Sequence, residues 1–296
     1  MNKAFKPKQN VIAIVYDFDG TLTPDPMQSY TVLPELGIPP EKFWDQVDDE
    51  VEKTGADPIL TYMRLLVDQI EANKAHLSRD ALRKLALEIE YYPGVLEWFE
   101  RINEYVKVTS EGSVEIKHYI ISAGLNEILE GISIKRHFSR IYASQYHFDH
   151  HEVARFPTIV INDTAKTHYL FKINKGKEGA HETVNDYMPE SERAIPFQNM
   201  LYIGDGLTDV PCMTVVKKYG GFAVAVHKAE HEDAKKTITV CKKLTKANRI
   251  DFYAPADYRE QSRLECNVKK IIDLIVARIN FQLERNTFLE MAKDDN

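Results

Sequence analysis

Two pairs of aspartates stand directly behind apolar runs. Asp17 and Asp19 lie two apart in Asp17-Phe18-Asp19-Gly20-Thr21, after the run Val11–Tyr16. Residues i and i+2 of an extended chain point to the same side. Two carboxylates a few ångströms apart repel, so a cation or a proton must relieve them. Asp205 and Asp209 form the second pair, in Gly204-Asp205-Gly206-Leu207-Thr208-Asp209, after Leu201-Tyr202-Ile203. If the two strands are neighbours, three or four carboxylates converge. All-oxygen ligation of that kind suits Mg²⁺. Carboxylates and Mg²⁺ beside a lysine and a hydroxyl suit phosphoryl transfer, where catalysis is mainly positioning and charge neutralisation.

The elements that must position these groups follow from the apolar patterning. Val11–Tyr16 is apolar at every position, as in a strand of a parallel sheet buried on both faces. Further strands are expected at 117–122, 140–144, 158–162, 200–204, 221–226 and 250–253. Helices alternate with them, at 95–105, from Gly124 to about Glu130, and from Lys166 to Gly176. That alternation predicts a doubly wound, Rossmann-like parallel α/β sheet, with ligands at the carboxyl ends of the strands. Asp17, Ser122 and Asp205 all fall at such ends.

The stretch 24–91 differs from the rest. Five prolines make 24–40 a loop or entry linker. A weak helix is expected over 41–53. Ile59, Met63, Leu66 and Ile70 then share one helical face, and Leu82, Leu85, Ala86 and Ile89 another. Ser78 is the expected N-cap of the last helix, with Asp80 in its first turn. The division is thus 1–23 and 92–296 as the core domain, with 24–91 as a small helical insertion after the first strand. The polar stretch 175–198 reads as a surface excursion. Leu264, Val268, Ile271, Ile275 and Ile279 share one face of a long final helix, which packs on the body or on a second subunit. Monomer and homodimer both stay open.

Composition excludes several classes. The 296 residues carry 38 Lys+Arg against 45 Asp+Glu, a net charge of −7. Nucleic-acid binding runs on basic side chains neutralising phosphates, so no nucleic-acid partner is expected. No apolar run approaches the roughly 20 residues that span a bilayer. Lys3, Lys6 and Lys8 precede an apolar run that ends on Asp17, too short for a signal peptide. Cys212, Cys241 and Cys266 are odd in number and widely spaced, which points to reduced thiols and a cytoplasmic protein.

The aspartate motifs and two interposed residues resemble a known family. Asp17-Phe18-Asp19-Gly20-Thr21-Leu22-Thr23 resembles the first motif of the haloacid-dehalogenase-like superfamily, whose members are mostly phosphatases. Ser122, closing Tyr119-Ile120-Ile121, resembles the second motif. Lys166, opening a helix after Asp163-Thr164, resembles the third, and Gly204–Asp209 the fourth. They occur in family order. The resemblance implies Asp17 as nucleophile and Asp19 as general acid, then base. It implies Mg²⁺ held by the Asp17 carboxylate, the Asp19 carbonyl and Asp205, with Asp209 as a further ligand or as a group orienting Lys166 or a metal water. Ser122 and the N–H groups of Ala123 and Gly124 would grip phosphate at a helix N-terminus, and Lys166 would offset the gathered charge.

Asp19 favours phosphatase or phosphomutase chemistry, since the family's dehalogenases lack a carboxylate there. The helical insertion resembles the family's C1 cap, and a lid of that kind implies a small-molecule phosphate ester as substrate. The layout resembles the phosphoserine-phosphatase-like branch, including a strand before Lys166 that matches its hairpin. Two departures stand out. Thr208 replaces the Asn often found in that branch. Pro24-Asp25-Pro26-Met27-Gln28 stands where a glutamate partner for the phosphoserine amine is expected, so phosphoserine itself is not supported. The expected function is therefore a Mg²⁺-dependent phosphatase acting through an aspartyl-phosphate. A phosphotransferase or mutase on the same fold is the alternative, and a non-catalytic phosphate-binding module a third reading.

The remaining motifs have plainer explanations. His147, His150 and His151 fit no zinc spacing and read as a solvated loop. Lys175-Gly176-Lys177 lacks the upstream glycine of a P-loop, and Gly176 ends a helix. The lysines of 235–243 form one exposed face. Cys212 is a small buried hydrophobe. Trp44, Tyr62 and Arg64 are the insertion's candidates for facing substrate.

Overall fold

The computed structural model describes residues 8–75, 77–179, 181–228 and 234–294. Lys3 and Lys6 lie outside the described residues. Among the described residues seven strands form one sheet: β1 Val11–Tyr16, β2 Glu115–Leu125, β3 Phe138–Phe148, β4 Ala154–Ile159, β5 Met200–Gly204, β6 Phe222–His227 and β7 Phe252–Pro255. Their order is β4-β3-β2-β1-β5-β6-β7. Every neighbouring pair is parallel except β3 and β4, an antiparallel hairpin at one edge.

The helices are α1 Met27–Tyr30, α2 Val32–Glu35, α3 Pro40–Thr54, α4 Pro58–Ala72, α5 Arg79–Leu85, α6 Val95–Thr109, α7 Asn126–Leu129, α8 Ala165–Lys175, α9 Val210–Lys218, α10 Ala234–Lys246 and α11 Arg263–Asp294. They cover both faces of the sheet. Ile12, Ile14 and Tyr16 of β1 join Trp98 and Phe99 of α6 and Ile271 and Ile275 of α11. Ala13 and Val15 point the other way, to Leu170 and Ile173 of α8 and Cys212 and Met213 of α9. That is the doubly wound α/β fold, and it explains why β1 is apolar at every position.

A polar chain crosses the first of these layers. Trp98 Nε1 donates to the Tyr16 hydroxyl at 2.8 Å, and that hydroxyl lies 3.1 Å from His118 Nδ1. His118 Nε2 lies 2.9 Å from Asn103 Oδ1. The order of donors is consistent with a neutral ring protonated on Nε2. Burial holds the His118 imidazole down to about 3. The network ties α6 to β1 and β2, the strands that end at the acidic cluster.

The stretch 24–91 contains only helices among its described residues. Its start departs from expectation, since 24–40 carries α1 and α2 rather than loop. The prolines sit where helices tolerate them. Pro26 is the N-cap of α1, Pro34 lies within the first turn of α2, and Pro40 is the first residue of α3. Met27, Val32 and Leu33 are fully buried, which supplies the stabilisation that composition did not announce. Phe43, Val47, Met63, Leu66, Ile70 and Leu82 join the same apolar cluster as Ile12 and Ile14. Ser78 caps α5 as expected, its Oγ accepting from the Ala81 N–H at 3.2 Å.

β4 lies earlier than the expected 158–162. Pairing with β3, from Phe148 opposite Ala154 to Gln145 opposite Ile159, sets its bounds. The chain then leaves the sheet, and Ile161 is buried on the other face with its N–H donating to Ser144 Oγ at 3.0 Å. α11 buries Leu264, Val268, Ile271, Ile275 and Ile279 on the body, while Phe281, Phe288, Leu289 and Met291 beyond them are exposed. The excursion after α8 starts at Gly176, left-handed at φ 64°. It is tethered by Lys172 Nζ, which donates to the Gly179 and Glu182 carbonyls at 2.9 and 3.0 Å. Cys212, Cys241 and Cys266 are unpaired. No helix among the described residues is long and apolar enough to cross a membrane.

Candidate active site

β1 and β5 are neighbours, and this single fact assembles the site. Tyr16 pairs with Ile203, and one residue on the Asp17 N–H donates to the Ile203 carbonyl at 2.9 Å. Both acidic motifs therefore leave the sheet side by side. Asp17, Asp205 and Asp209 each offer a carboxylate oxygen, and these oxygens lie within 4.8 Å of one another. Lys166, the second residue of α8, reaches into the cluster. Its Nζ is 2.9 Å from Asp17 Oδ1 and 2.8 Å from Asp209 Oδ1.

The environment acts differently on each group. Burial, then the Asp209 charge, push the Asp17 carboxyl up to about 6 against the pull of Lys166. Burial and the Asp17 charge push Asp19 up to about 7, in the range a proton donor needs at neutral pH. Burial and Asp209 raise Asp205 as well. Burial opposes the Lys166 ammonium, but Asp17 and Asp209 outweigh it and hold its pKa above the ordinary lysine range. One lysine cannot neutralise three clustered carboxylates. Asp209 Oδ2 is also buried with no hydrogen-bond partner. An all-oxygen, net negative cluster with an orphaned carboxylate oxygen fits a small divalent cation such as Mg²⁺.

Close approach in this cluster depends on glycine. Gly20 has φ 75°, and a Cβ there would lie 2.3 Å from Asp205 Oδ2. Gly20→Ala is expected to displace Asp205 and to lower turnover by roughly 10²-fold, as misplacement near 1 Å does. Mg²⁺ titration of activity checks it, with a raised half-saturating Mg²⁺ concentration as the signature.

Asp19 is oriented from the insertion. Its Oδ1 accepts the Met27 N–H at 2.8 Å. Ser122, in the last part of β2, is fully buried, but it does not stand at a helix N-terminus as expected. β2 runs on through Leu125, held by pairing to Ser144 of β3, and the four-residue α7 starts only at Asn126. The Gly124 N–H donates to Ser122 Oγ at 2.9 Å, so the serine closes a turn of the strand end. Ala123 and Gly124 still border the site. A Cβ on Gly124 would lie 3.1 Å from Asp19 Oδ2 and 2.1 Å from Met27 Cε.

The other candidates sort clearly. Tyr62 reaches the site, its hydroxyl donating to the Ala123 carbonyl at 2.8 Å. Trp44 packs edge-on against the Tyr62 ring with centroids 5.7 Å apart. Arg64 turns away, paired with Glu50 at 2.6 Å and with Asp68. His150 and His151 are exposed on the β3–β4 turn, whereas His147 lies in β3 rather than in a loop, its ring stacked on Phe156 of β4. On α10, Lys242 and Lys243 are exposed, while the side chains of Lys235 and Lys236 lie outside the described residues. Thr208 is exposed. Two contributors escaped the sequence reading. Tyr202 donates to Asp209 Oδ1 at 2.7 Å, and its hydroxyl within an otherwise apolar strand was the available signal. Met27 holds Asp19 through a backbone group, which no side-chain pattern reveals.

Comparison with known proteins agrees with this architecture. The haloacid dehalogenase-like hydrolase family profile matches residues 14–214. The chain belongs to that family. A relative from Borreliella burgdorferi, itself an uncharacterized protein, is 27% identical over 281 residues, covering 87% of this chain and 95% of its own. Among solved structures, a HAD family hydrolase from Salmonella enterica serovar Typhi aligns with a TM-score of 0.56 at 15% identity, over 86% of this chain and 69% of its own. A phospho-aspartyl intermediate analogue of phosphoserine phosphatase aligns at 0.55 and 17% identity, over 88% of this chain and 99% of its own. At such identities the likeness is one of fold.

Proposed function

We propose that the chain is a Mg²⁺-dependent phosphatase of small-molecule phosphate monoesters that works through a phosphoryl group carried on Asp17. The observation that carries this reading is the meeting of Asp17, Asp205 and Asp209 with Lys166 at the ends of β1 and β5, with Asp19 alongside. The Asp17 carboxylate, the Asp19 carbonyl and Asp205 would hold Mg²⁺, which supplies positive charge to the phosphate oxygens. A carboxylate oxygen of Asp17 attacks phosphorus, and the bond to the ester oxygen breaks as Asp19 protonates it. Water then attacks the aspartyl-phosphate while Asp19 takes its proton, releasing inorganic phosphate and restoring Asp17. Lys166 holds the Asp17 carboxylate in place and offsets its charge throughout. Ser122, Ala123 and Gly124 border the phosphate at the end of β2.

The insertion 24–91 acts as the cap over this site, and Met27 and Tyr62 are the contacts that support the assignment. A covered site favours small esters over phosphoproteins. The test is phosphate release from p-nitrophenyl phosphate with Mg²⁺ and after removal of the metal by EDTA. Mg²⁺-dependent release is expected. Absence of release across a broad panel of phosphate esters would instead favour a non-catalytic module.

A further inference from the structure

α11 leaves the body at the end opposite the acidic cluster. Its Arg278 donates to the Gln198 and Gly220 carbonyls at 2.8 and 3.2 Å, and its Asn280 Oδ1 lies 2.8 Å from Ser113 Oγ. Gln198, Gly220 and Ser113 stand just before β5, β6 and β2, whereas Asp17 and Asp205 follow β1 and β5. Beyond Asn280 the helix runs on to Asp294, roughly 20 Å further. Leu283 still reaches back to the core. A helical end of that length is marginal in water by itself, and packing of an apolar face is what stabilises such a segment.

One apolar stripe runs along this helix on the side away from the body. Leu274, Phe281 and Phe288 recur at heptad spacing and are 58%, 62% and 65% exposed. Ala277, Glu284 and Met291 follow each of them by one helical turn, and all three are exposed. This is the a and d pattern of a coiled-coil seam, interrupted only by Glu284. It is distinct from the face on which Ile271, Ile275 and Ile279 are buried against the body. Single exposed apolar side chains are ordinary, but a continuous stripe marks an interface.

We propose that α11 joins two copies of this chain, the stripe of each laid antiparallel on the stripe of the other. The stripe complements itself in that arrangement. A two-fold axis that sets Leu274 opposite Met291 also sets Ala277 opposite Phe288 and Phe281 opposite Glu284. The bulky Phe288 then meets the smallest side chain of the stripe. Glu284 of one copy comes within a helical turn of the exposed Arg285 of the other, so its carboxylate gains a cation. Parallel pairing in register would set Glu284 against Glu284. Leu274, Phe281, Phe288 and Met291 each offer about 100–130 Å² of apolar surface. With their polar flanks, the two stripes bury about 1,000 Å² in total, the size at which a specific interface holds. Both acidic clusters stay open, because the helices meet beyond the amino ends of the strands. The interface therefore goes beyond the phosphatase reading and does not depend on it.

Light scattering coupled to size exclusion, run on the full chain over a concentration series, is the first test. A species of twice the chain mass is expected, with a dissociation constant at or below about 10 µM. Phe281→Glu together with Phe288→Glu is expected to raise that constant at least about thirtyfold, while circular dichroism shows the fold kept, since both side chains are exposed. Direction is read from disulfide capture in a Cys266→Ser background, which removes the exposed native thiol. Leu274→Cys combined with Met291→Cys is expected to give a covalent dimer on mild oxidation, and neither substitution alone should do so. A chain that stays monomeric up to about 100 µM overturns the interface. So does a dimer that survives the two glutamates. Capture by either single cysteine overturns the antiparallel arrangement.

Discussion

Asp17→Asn is expected to lower turnover of p-nitrophenyl phosphate by at least about 10³-fold while the chain still folds, since loss of a nucleophile removes the covalent route altogether. The substitution is nearly isosteric. Asp17 is 5% exposed, and its backbone N–H to Ile203 is untouched. Lys166 keeps Asp209 at 2.8 Å, so the cluster retains its cation. The amide cannot form a labile acyl-phosphate, and it removes a negative charge that would help hold Mg²⁺. Steady-state kinetics beside a far-ultraviolet circular dichroism spectrum separates lost chemistry from lost fold. Wild-type turnover in the variant would mean that Asp17 is not the nucleophile.

Lys166→Met has the second large effect, and it acts on stability as well as on rate. Lys166 is buried and touches two carboxylates. Removing one partner of a buried ion pair leaves the other charges uncompensated, at a cost of about 3–5 kcal/mol. Three clustered carboxylates with no cation then repel in a medium that screens poorly. Denaturant unfolding in EDTA is expected to show that loss. Mg²⁺ should restore part of it, because an ion that binds only the folded state stabilises it. Turnover at saturating Mg²⁺ is expected to fall by roughly 10²–10³-fold, the scale seen when one preorganised electrostatic group is removed. Unchanged stability in EDTA would show that the lysine does not neutralise the cluster.

The core was legible in the sequence because its signals are strong and local. β1 and β5 match their apolar runs residue for residue, since strands buried on both faces leave no polar position to confuse the reading. The acidic motifs were legible for the same reason, each breaking an apolar run at its end. The order β2-β1-β5, which brings Asp17, Asp205 and Asp209 together, was only conditional in the sequence. Strand neighbours are a tertiary property.

Misplacements occurred where tertiary contacts outweigh local preference. The prolines of 24–40 suggested loop, yet buried Met27, Val32 and Leu33 hold two helical turns there. The family resemblance and a helix expected from Gly124 put Ser122 at a helix N-terminus. Pairing of Leu125 with Ser144 keeps the chain extended instead. Met27 is invisible in the sequence as a contact of Asp19. It comes from how the insertion docks on the core, and no spacing within one segment encodes that contact.

The central claim is a covalent phosphoryl group on Asp17, and rapid acid quench of turnover followed by peptide mass spectrometry tests it most directly. Phosphate mass on the peptide that contains Asp17, present during turnover with Mg²⁺ and absent in Asp17→Asn, is the predicted result. Phosphate carried on a different residue, or undiminished turnover with no phosphopeptide in Asp17→Asn, would contradict the account.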